Sequence, residues 1–145
     1  MVSDMRSFPS LAGELDYVER TTQLSVTATS ASTAEAWITG NAIYVDGMTK
    51  IKIEAWAYLL DITVSNQVLW ELYDDSTDLG RMGLWGTTSG TLSPGTPYGV
   101  RILTPGAGNH RYSIRAWKTG GTANFYAGTG GSNTALPAWY RVTRA

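Results

Sequence analysis

Apolar and polar residues alternate along most of this chain in short runs, which are separated by turns rich in Gly, Pro and Asp. A period of two places successive side chains on opposite sides of an extended strand. The apolar positions of residues 23–29 and 50–58 follow it: Leu24, Val26, Ala28, Ile51, Ile53, Ala55 and Ala57. The one fragment with helical character, residues 33–38, is too short to form a helix of its own. The pattern predicts an all-β fold of about eight strands, either a β-sandwich or a jelly roll.

The first twenty residues lack this alternation and hold much of the acidic charge together with Pro9 and Gly13. We expect residues 1–20 to form an N-terminal arm and residues 21–145 to form the β-sandwich domain. Two states of the arm are compatible with its sequence, a disordered tail or a segment that becomes ordered against a neighbouring molecule.

The composition excludes several classes of partner. The 145 residues carry a net charge of −1 with scattered Lys and Arg, whereas a nucleic-acid-binding domain needs a basic surface. There is no Cys, so disulfides and thiolate metal sites are excluded. The longest apolar-rich stretch, residues 51–60, contains Lys52 and Glu54, so we expect no transmembrane helix and no membrane partner. Charged residues are only 16% of the chain, and six Trp and eight Tyr accompany them, which is typical of a surface partly covered by other subunits.

No group of residues predicts catalysis. His110 is the one histidine and lies beside a turn, so a catalytic triad of the usual kind is not expected. Asp74, Ser76 and Asp78 alternate like the first ligands of a calcium loop, but Leu79 occupies the position that requires Gly, and a solvated hairpin turn is the better interpretation. The Gly-x-Gly sequences at residues 106–108 and 128–130 lack the helix that a phosphate-binding loop needs. We therefore expect a protein that is not an enzyme and needs no cofactor or metal.

The aromatic residues of the last three strands indicate an interaction surface. If these strands are regular, one side forms a core layer of Tyr112, Ile114, Ala116, Ala123, Phe125, Ala127, Leu136, Ala138, Tyr140 and Val142. The opposite side then carries Arg115, Trp117, Tyr126, Trp139 and Arg141, and aromatic residues with Arg are enriched in the centres of protein interfaces. We interpret these five residues as a subunit interface. Packing under a loop of the same chain and a carbohydrate-binding platform remain as alternatives, and Trp56 and Tyr58 form a smaller outward pair.

Residues 101–142 resemble a module of tailed-bacteriophage structural proteins, especially those of phages that infect actinobacteria. The matching segments are Arg101-Ile-Leu-Thr-Pro105, Gly106-Ala-Gly-Asn-His110, Arg111-Tyr-Ser-Ile-Arg-Ala-Trp117, Gly120-Gly-Thr-Ala-Asn-Phe-Tyr-Ala-Gly-Thr-Gly-Gly131 and Leu136-Pro-Ala-Trp-Tyr-Arg-Val142. Upstream, Leu15-Asp-Tyr-Val18 and Leu72-Tyr-Asp-Asp75 are similar to earlier parts of the same module. These segments are turns and strands rather than active-site residues.

The resemblance implies a jelly roll of the tumour-necrosis-factor type, usually a homotrimer, built into a virion. Because the module here has only a short arm before it and no fibre shaft, we expect a capsid decoration or cement protein on the capsid exterior, with the major capsid protein as its partner. A trimer there can match a local threefold axis. The arm residues Phe8, Leu11, Leu15 and Tyr17 are then candidates for capsid contact. The alternative is a tail or fibre-tip knob that binds a host-surface receptor or glycan through Trp56 and Tyr58.

Overall fold

The computed structural model describes residues 13–63, 66–86 and 93–145 of the chain. These residues form fourteen β-strands and a single 3-10 turn, Ala31–Thr33, and every strand pair is antiparallel. The predicted all-β class is confirmed. The strands are β1 Glu14–Arg20, β2 Leu24–Ser25, β3 Glu35–Thr39, β4 Ile43–Asp46, β5 Ile51–Trp56, β6 Leu59–Ile62, β7 Gln67–Asp74, β8 Thr77–Gly86, β9 Ser93–Gly95, β10 Tyr98–Leu103, β11 Ala107–His110, β12 Tyr112–Lys118, β13 Ala123–Tyr126 and β14 Ala138–Arg144.

The strands form two layers around one core. One four-stranded sheet has the order β1-β14-β5-β10. The next strand after β10, β11, pairs with the strand before β5, β4, and so continues the pairing of β10 with β5. The other layer has the order β3-β12-β7-β8, and β2-β13-β6-β9 repeats this order with the neighbouring segment of each strand. Where two consecutive strands hold equivalent places in these orders, as β2 and β3 or β12 and β13 do, they count as two segments of one longer strand, and the fourteen segments of the described residues then form eight strands. The fold is β-sandwich-like.

The core follows the alternation of the sequence. Ile51, Ile53 and Ala55 are fully buried from β5, and Tyr112, Ile114 and Ala116 are fully buried from β12. The aromatic centre of the core is Phe125, whose ring stacks on Trp37 at 4.6 Å and meets the ring of Trp70 edge-on at 6.0 Å. Since residues of both layers belong to one buried cluster, the two layers are held together by a continuous apolar core.

The structure places residues 14–20 in a sheet rather than in an arm. They form β1, which pairs with β14, and Leu15 and Val18 pack against the core. The alternation of β1 is obscured in the sequence because Asp16 is buried there, at a register shift between Glu14 and Asp16. Both oxygens of its carboxylate accept hydrogen bonds from Asn41, one from the backbone N–H and one from the side-chain amide. Phe8 and Leu11, the other two arm candidates, lie outside the described residues.

One further expectation differs from the structure. Leu136 was assigned to the core layer, but β14 begins only at Ala138, and the Leu136 side chain is 52% exposed. The preceding loop bonds to itself instead, with Gly128 N–H donating to the Leu136 carbonyl. The fragment 33–38, by contrast, forms no helix of its own, as expected from its length; β3 covers most of it and buries Trp37 and Ile38.

The hairpin turns use the predicted residues. Gly47 has a φ of +80°, and Asp46 beside it accepts hydrogen bonds from the backbone N–H groups of Met48 and Thr49. These bonds, of which those from Thr49 are the strongest, lower the pKa of Asp46 to about 2. Asp75 and Ser76 connect β7 to β8, and Asp75 adopts a φ of +51°. The segment 74–78 is therefore a hairpin turn.

Candidate functional site

The outward side of the sheet β1-β14-β5-β10 carries a continuous set of aromatic and aliphatic side chains, here called the outer face. Directly paired residues of neighbouring strands point to the same side of a sheet. The strand register aligns Glu19, Trp139, Trp56 and Tyr98 in one row, Tyr17, Arg141, Glu54 and Val100 in the next, and Glu14, Thr143, Lys52 and Ile102 in a third. These twelve residues define the outer face.

Apolar side chains of the outer face are accessible to solvent. Ile102 is 54% exposed and Tyr98 is 49% exposed, while Val100 and Tyr17 are also exposed. Trp56 and Trp139 are half-buried between them. Single exposed apolar residues are ordinary in soluble proteins, but a set on adjoining strands is typical of an interaction surface.

Two tryptophans form the centre of this surface. Trp56 of β5 and Trp139 of β14 are direct cross-strand partners, and their rings stack at 6.4 Å between centroids with an interplanar angle of 21°. The guanidinium of Arg141 lies 5.5 Å from the centroid of the Trp139 ring. Aromatic pairs of this kind are rigid and lose little conformational entropy when another molecule covers them.

The buried charge of the outer face, that of Glu54, is neutralised by its neighbours. Glu54 is only 7% exposed, and its carboxylate accepts a hydrogen bond from the Tyr98 hydroxyl at 2.8 Å. The same carboxylate lies 3.0 Å from Arg141 and 3.3 Å from Lys52. Burial acts to raise the pKa of Glu54, but the bonds from Tyr98, Arg141 and Lys52 outweigh it and the pKa is lowered. The pKa of Tyr98 is raised, first because its hydroxyl donates to this carboxylate. A partner covering this face therefore meets a charge-compensated group rather than an isolated ion.

The five residues predicted as one interface lie on three sheets. Trp139 and Arg141 belong to the outer face, Arg115 and Trp117 lie on β12 of the other layer, and Tyr126 lies on β13. All five are half-buried. Trp117 donates from its indole N–H to Glu71 at 3.2 Å, and the Tyr126 hydroxyl bonds to Asp61, which is the largest reason that its pKa is raised. The structure therefore divides the five between the two layers rather than bringing all of them together.

Other predicted residues contribute to the same face. Trp56, considered for a glycan platform, is the stacking partner of Trp139, whereas Tyr58 lies beyond the end of β5 and is 50% exposed. Tyr17, considered for the arm, stands on the outer face and donates its hydroxyl to Glu19 at 2.7 Å. Burial first, and then Glu19, raise the pKa of Tyr17 to about 12, so this hydroxyl stays protonated.

Sequence reasoning missed the contribution of β10. Tyr98, Val100 and Ile102 alternate along this strand, so the signal that they share one side was present. What the sequence lacked was the pairing of β10 with β5, which sets these three residues beside Trp56, Glu54 and Lys52.

The described residues contain no group of three or more His, Cys, Asp or Glu side chains placed to hold a metal ion. No helix long and apolar enough to cross a membrane occurs among residues 13–63, 66–86 and 93–145. His110 is engaged structurally, since its two ring nitrogens contact Asp74 Oδ2 at 2.5 Å and the Gly106 carbonyl at 2.8 Å.

Comparison of the chain with protein-family models and with curated proteins finds no match.

Proposed function

We propose that this chain is a non-enzymatic structural protein of a tailed-bacteriophage virion, a capsid decoration protein that assembles as a homotrimer through its outer face. The single observation that carries the proposal is the exposed apolar surface around Trp56 and Trp139. A self-associating protein needs such a surface, and an enzyme needs a concave site with reactive groups instead.

The strand order supports a jelly roll. When each divided strand is counted once, the described residues form eight strands, and the two layers have the orders 1-8-3-6 and 2-7-4-5. These are the orders that arise when a long antiparallel hairpin is rolled up into two Greek keys, as in jelly rolls of viral capsids. The sheet 1-8-3-6 is the one that carries the outer face.

A second copy of the chain is the best occupant of the outer face. The carboxylate of Glu54 is already compensated by Arg141 and Lys52, so covering it with a second copy leaves no isolated buried charge. The exposed residues Tyr98, Val100 and Ile102 are apolar over most of their area and lie toward the β10 edge of the sheet. In a closed ring of three the interfaces are heterologous, so two different parts of the outer face of each chain contact its two neighbours.

The location on a virion is supported by the resemblance of residues 101–142 to the phage module and by the low charge content of 16%. In a decoration protein the trimer multiplies weak contacts with the capsid protein, so that avidity replaces a single strong contact. Tyr17 and Leu15 belong to the sheet, which leaves Phe8 and Leu11 as the arm residues proposed to reach the capsid.

The alternative, a tail or fibre-tip knob that binds a host glycan, is favoured by one observation, the 50% exposed ring of Tyr58 next to the end of β5. Copy number separates the two proposals. Gel densitometry of purified particles, with the band of the major capsid protein as the reference, is expected to give hundreds of copies of this chain per particle. A handful of copies would overturn the decoration role and favour the tail.

A further inference from the structure

A groove crosses the outward side of the sheet β3-β12-β7-β8, in the layer opposite the outer face. Its volume is about 420 Å³. One wall comes from β3 and the residue before it, the floor from β12 and the residue before it, and one end from the β7–β8 turn. The lining residues are Ala34, Ala36, Thr39, Asp75, Ser76, Arg111, Ser113 and Arg115.

Arg115 is held in this groove by groups that carry no charge. Its guanidinium lies 4.2 Å from the centroid of the Tyr73 ring, which supports it from below. Its Nε donates to the Ser113 hydroxyl at 3.2 Å, and one Nη donates to the Asp75 carbonyl at 2.6 Å. The guanidinium is thereby fixed in position while its positive charge is not neutralised.

Arg111, an exposed residue that also lines the groove, has one such contact. Its Nε donates to the Gly40 carbonyl at 3.1 Å. Within the described ranges, neither Arg111 nor Arg115 forms an ion pair with a carboxylate. Two positioned guanidinium groups with remaining N–H donors are the arrangement that binds a carboxylate or phosphate in a bidentate manner.

The rest of the lining restricts the class of anion. Asp75 also lines the groove. Its carboxylate can accept hydrogen bonds, and it repels a negatively charged group of the ligand that comes close to it. Thr39, Ser76 and Ser113 add hydroxyls, and the small side chains of Ala34 and Ala36 leave space above β3. A matching ligand therefore carries a negative group toward the arginines and hydroxyls toward Asp75.

We propose that this groove binds an acidic saccharide, a sugar whose carboxylate is held by Arg111 and Arg115 and whose hydroxyls bond to Asp75 and the groove hydroxyls. This binding activity goes beyond the structural role and does not depend on it. An acidic peptide carries carboxylates but lacks the several neighbouring hydroxyls of a sugar, so it is the contrasting ligand of the test.

The test is titration of the full chain with glucuronate, glucose, inorganic phosphate and a short polyglutamate peptide, with backbone amide chemical shifts as the readout. We expect glucuronate to shift residues around the groove and to bind at least tenfold more tightly than the other three. Arg115→Ala and Arg111→Ala are each expected to weaken glucuronate binding tenfold or more. Arg115→Lys, which keeps the charge but loses the planar fork, is expected to weaken it to a smaller extent.

Arg101→Ala on β10 is the matched control, because Arg101 is an exposed arginine of the sheet β1-β14-β5-β10, away from the groove. This variant should bind glucuronate as the unmodified chain does. Amide spectra of each variant establish that it is folded. Equal binding of phosphate would reduce the groove to a simple anion site and overturn the proposal. Preferential binding of the peptide, the absence of glucuronate binding, or binding that survives both arginine substitutions would overturn it as well.

Discussion

Trp56 and Trp139 face each other across neighbouring strands of the sheet β1-β14-β5-β10, with their rings stacked at 6.4 Å. The contact joins β5 to the last strand of the chain and places two large aromatic rings at the centre of an otherwise accessible face. Because the rings support each other, both are positioned before any partner arrives. This preorganisation is what an interface centre requires.

Replacement of Trp139 should separate association from folding. We expect Trp139→Ala to weaken self-association by about 2 kcal/mol or more per interface, as removal of a central aromatic residue usually does. The mass in solution, measured by light scattering over a range of concentrations, reports the change, and circular dichroism checks that the fold persists.

The matched control for that experiment is Trp117→Ala. Trp117 is also half-buried and was expected in the same interface, but it lies on β12 in the other layer. Its replacement should leave the mass in solution unchanged. If Trp117→Ala dissociates the assembly and Trp139→Ala does not, the interface lies on the other layer.

Glu54→Gln should destabilise the fold by about 1–3 kcal/mol at neutral pH, since it leaves Arg141 and Lys52 near a buried group that no longer carries a compensating charge. The pKa of Glu54 in the folded protein is lowered from its ordinary 4.5. Its contribution to stability is therefore present above pH 4.5 and is lost as the pH falls through the folded value. Urea unfolding at pH 7 and pH 3 is expected to give a large difference between variant and unmodified protein at pH 7 and a smaller one at pH 3.

For comparison, Glu14→Gln at the start of β1 changes the same chemical group at the edge of the same sheet and should have little effect. A constant destabilisation of Glu54→Gln at both pH values would mean that its carboxylate charge is not what the surrounding groups recognise.

His110 should make the fold more stable at mildly acidic than at alkaline pH. Burial acts to lower its pKa, but the hydrogen bonds to Asp74 and the Gly106 carbonyl outweigh burial and raise it above 6.5. A histidine whose pKa is raised in the folded protein stabilises the fold when it is protonated. This contribution is complete below pH 6.5 and is lost as the pH rises through the pKa of the folded protein. The melting temperature of the unmodified protein, measured between pH 6 and pH 9, should therefore fall more steeply than that of His110→Gln. Parallel curves for the two proteins would contradict the assigned ion pair.

Gly83 is required by close packing against the core. A Cβ added there would lie 2.1 Å from Trp70 Cζ2, whereas one added at Gly106 would meet nothing within 4 Å. We expect Gly83→Ala to destabilise the fold by about 1–3 kcal/mol through overpacking, and Gly106→Ala to be close to neutral. Denaturant midpoints compare the two directly, and equal midpoints would show that β8 can move away from Trp70 without cost.

Alternation along the chain was sufficient to predict the class of fold and most of the core. Ile51, Ile53, Tyr112 and Tyr140 are fully buried because their strands are regular over these positions. Leu136 was misplaced because the residues before Ala138 form a loop that pairs with itself, and a period of two cannot indicate where a strand begins.

The candidate site was predictable only in part, for a related reason. Parity along one strand tells which residues share a side of that strand, but it does not tell which strands become neighbours. Trp139 and Trp117 both have outward parity, yet the sheet order places them in different layers. Tyr98 became part of the site only through the pairing of β10 with β5.

The mass of the full chain in solution tests the central claim most directly. Light scattering of the purified protein at tens of micromolar is expected to give three times the chain mass of 15.7 kDa. A mass of one chain throughout that concentration range would contradict assembly through the outer face, and with it the proposed trimeric decoration protein.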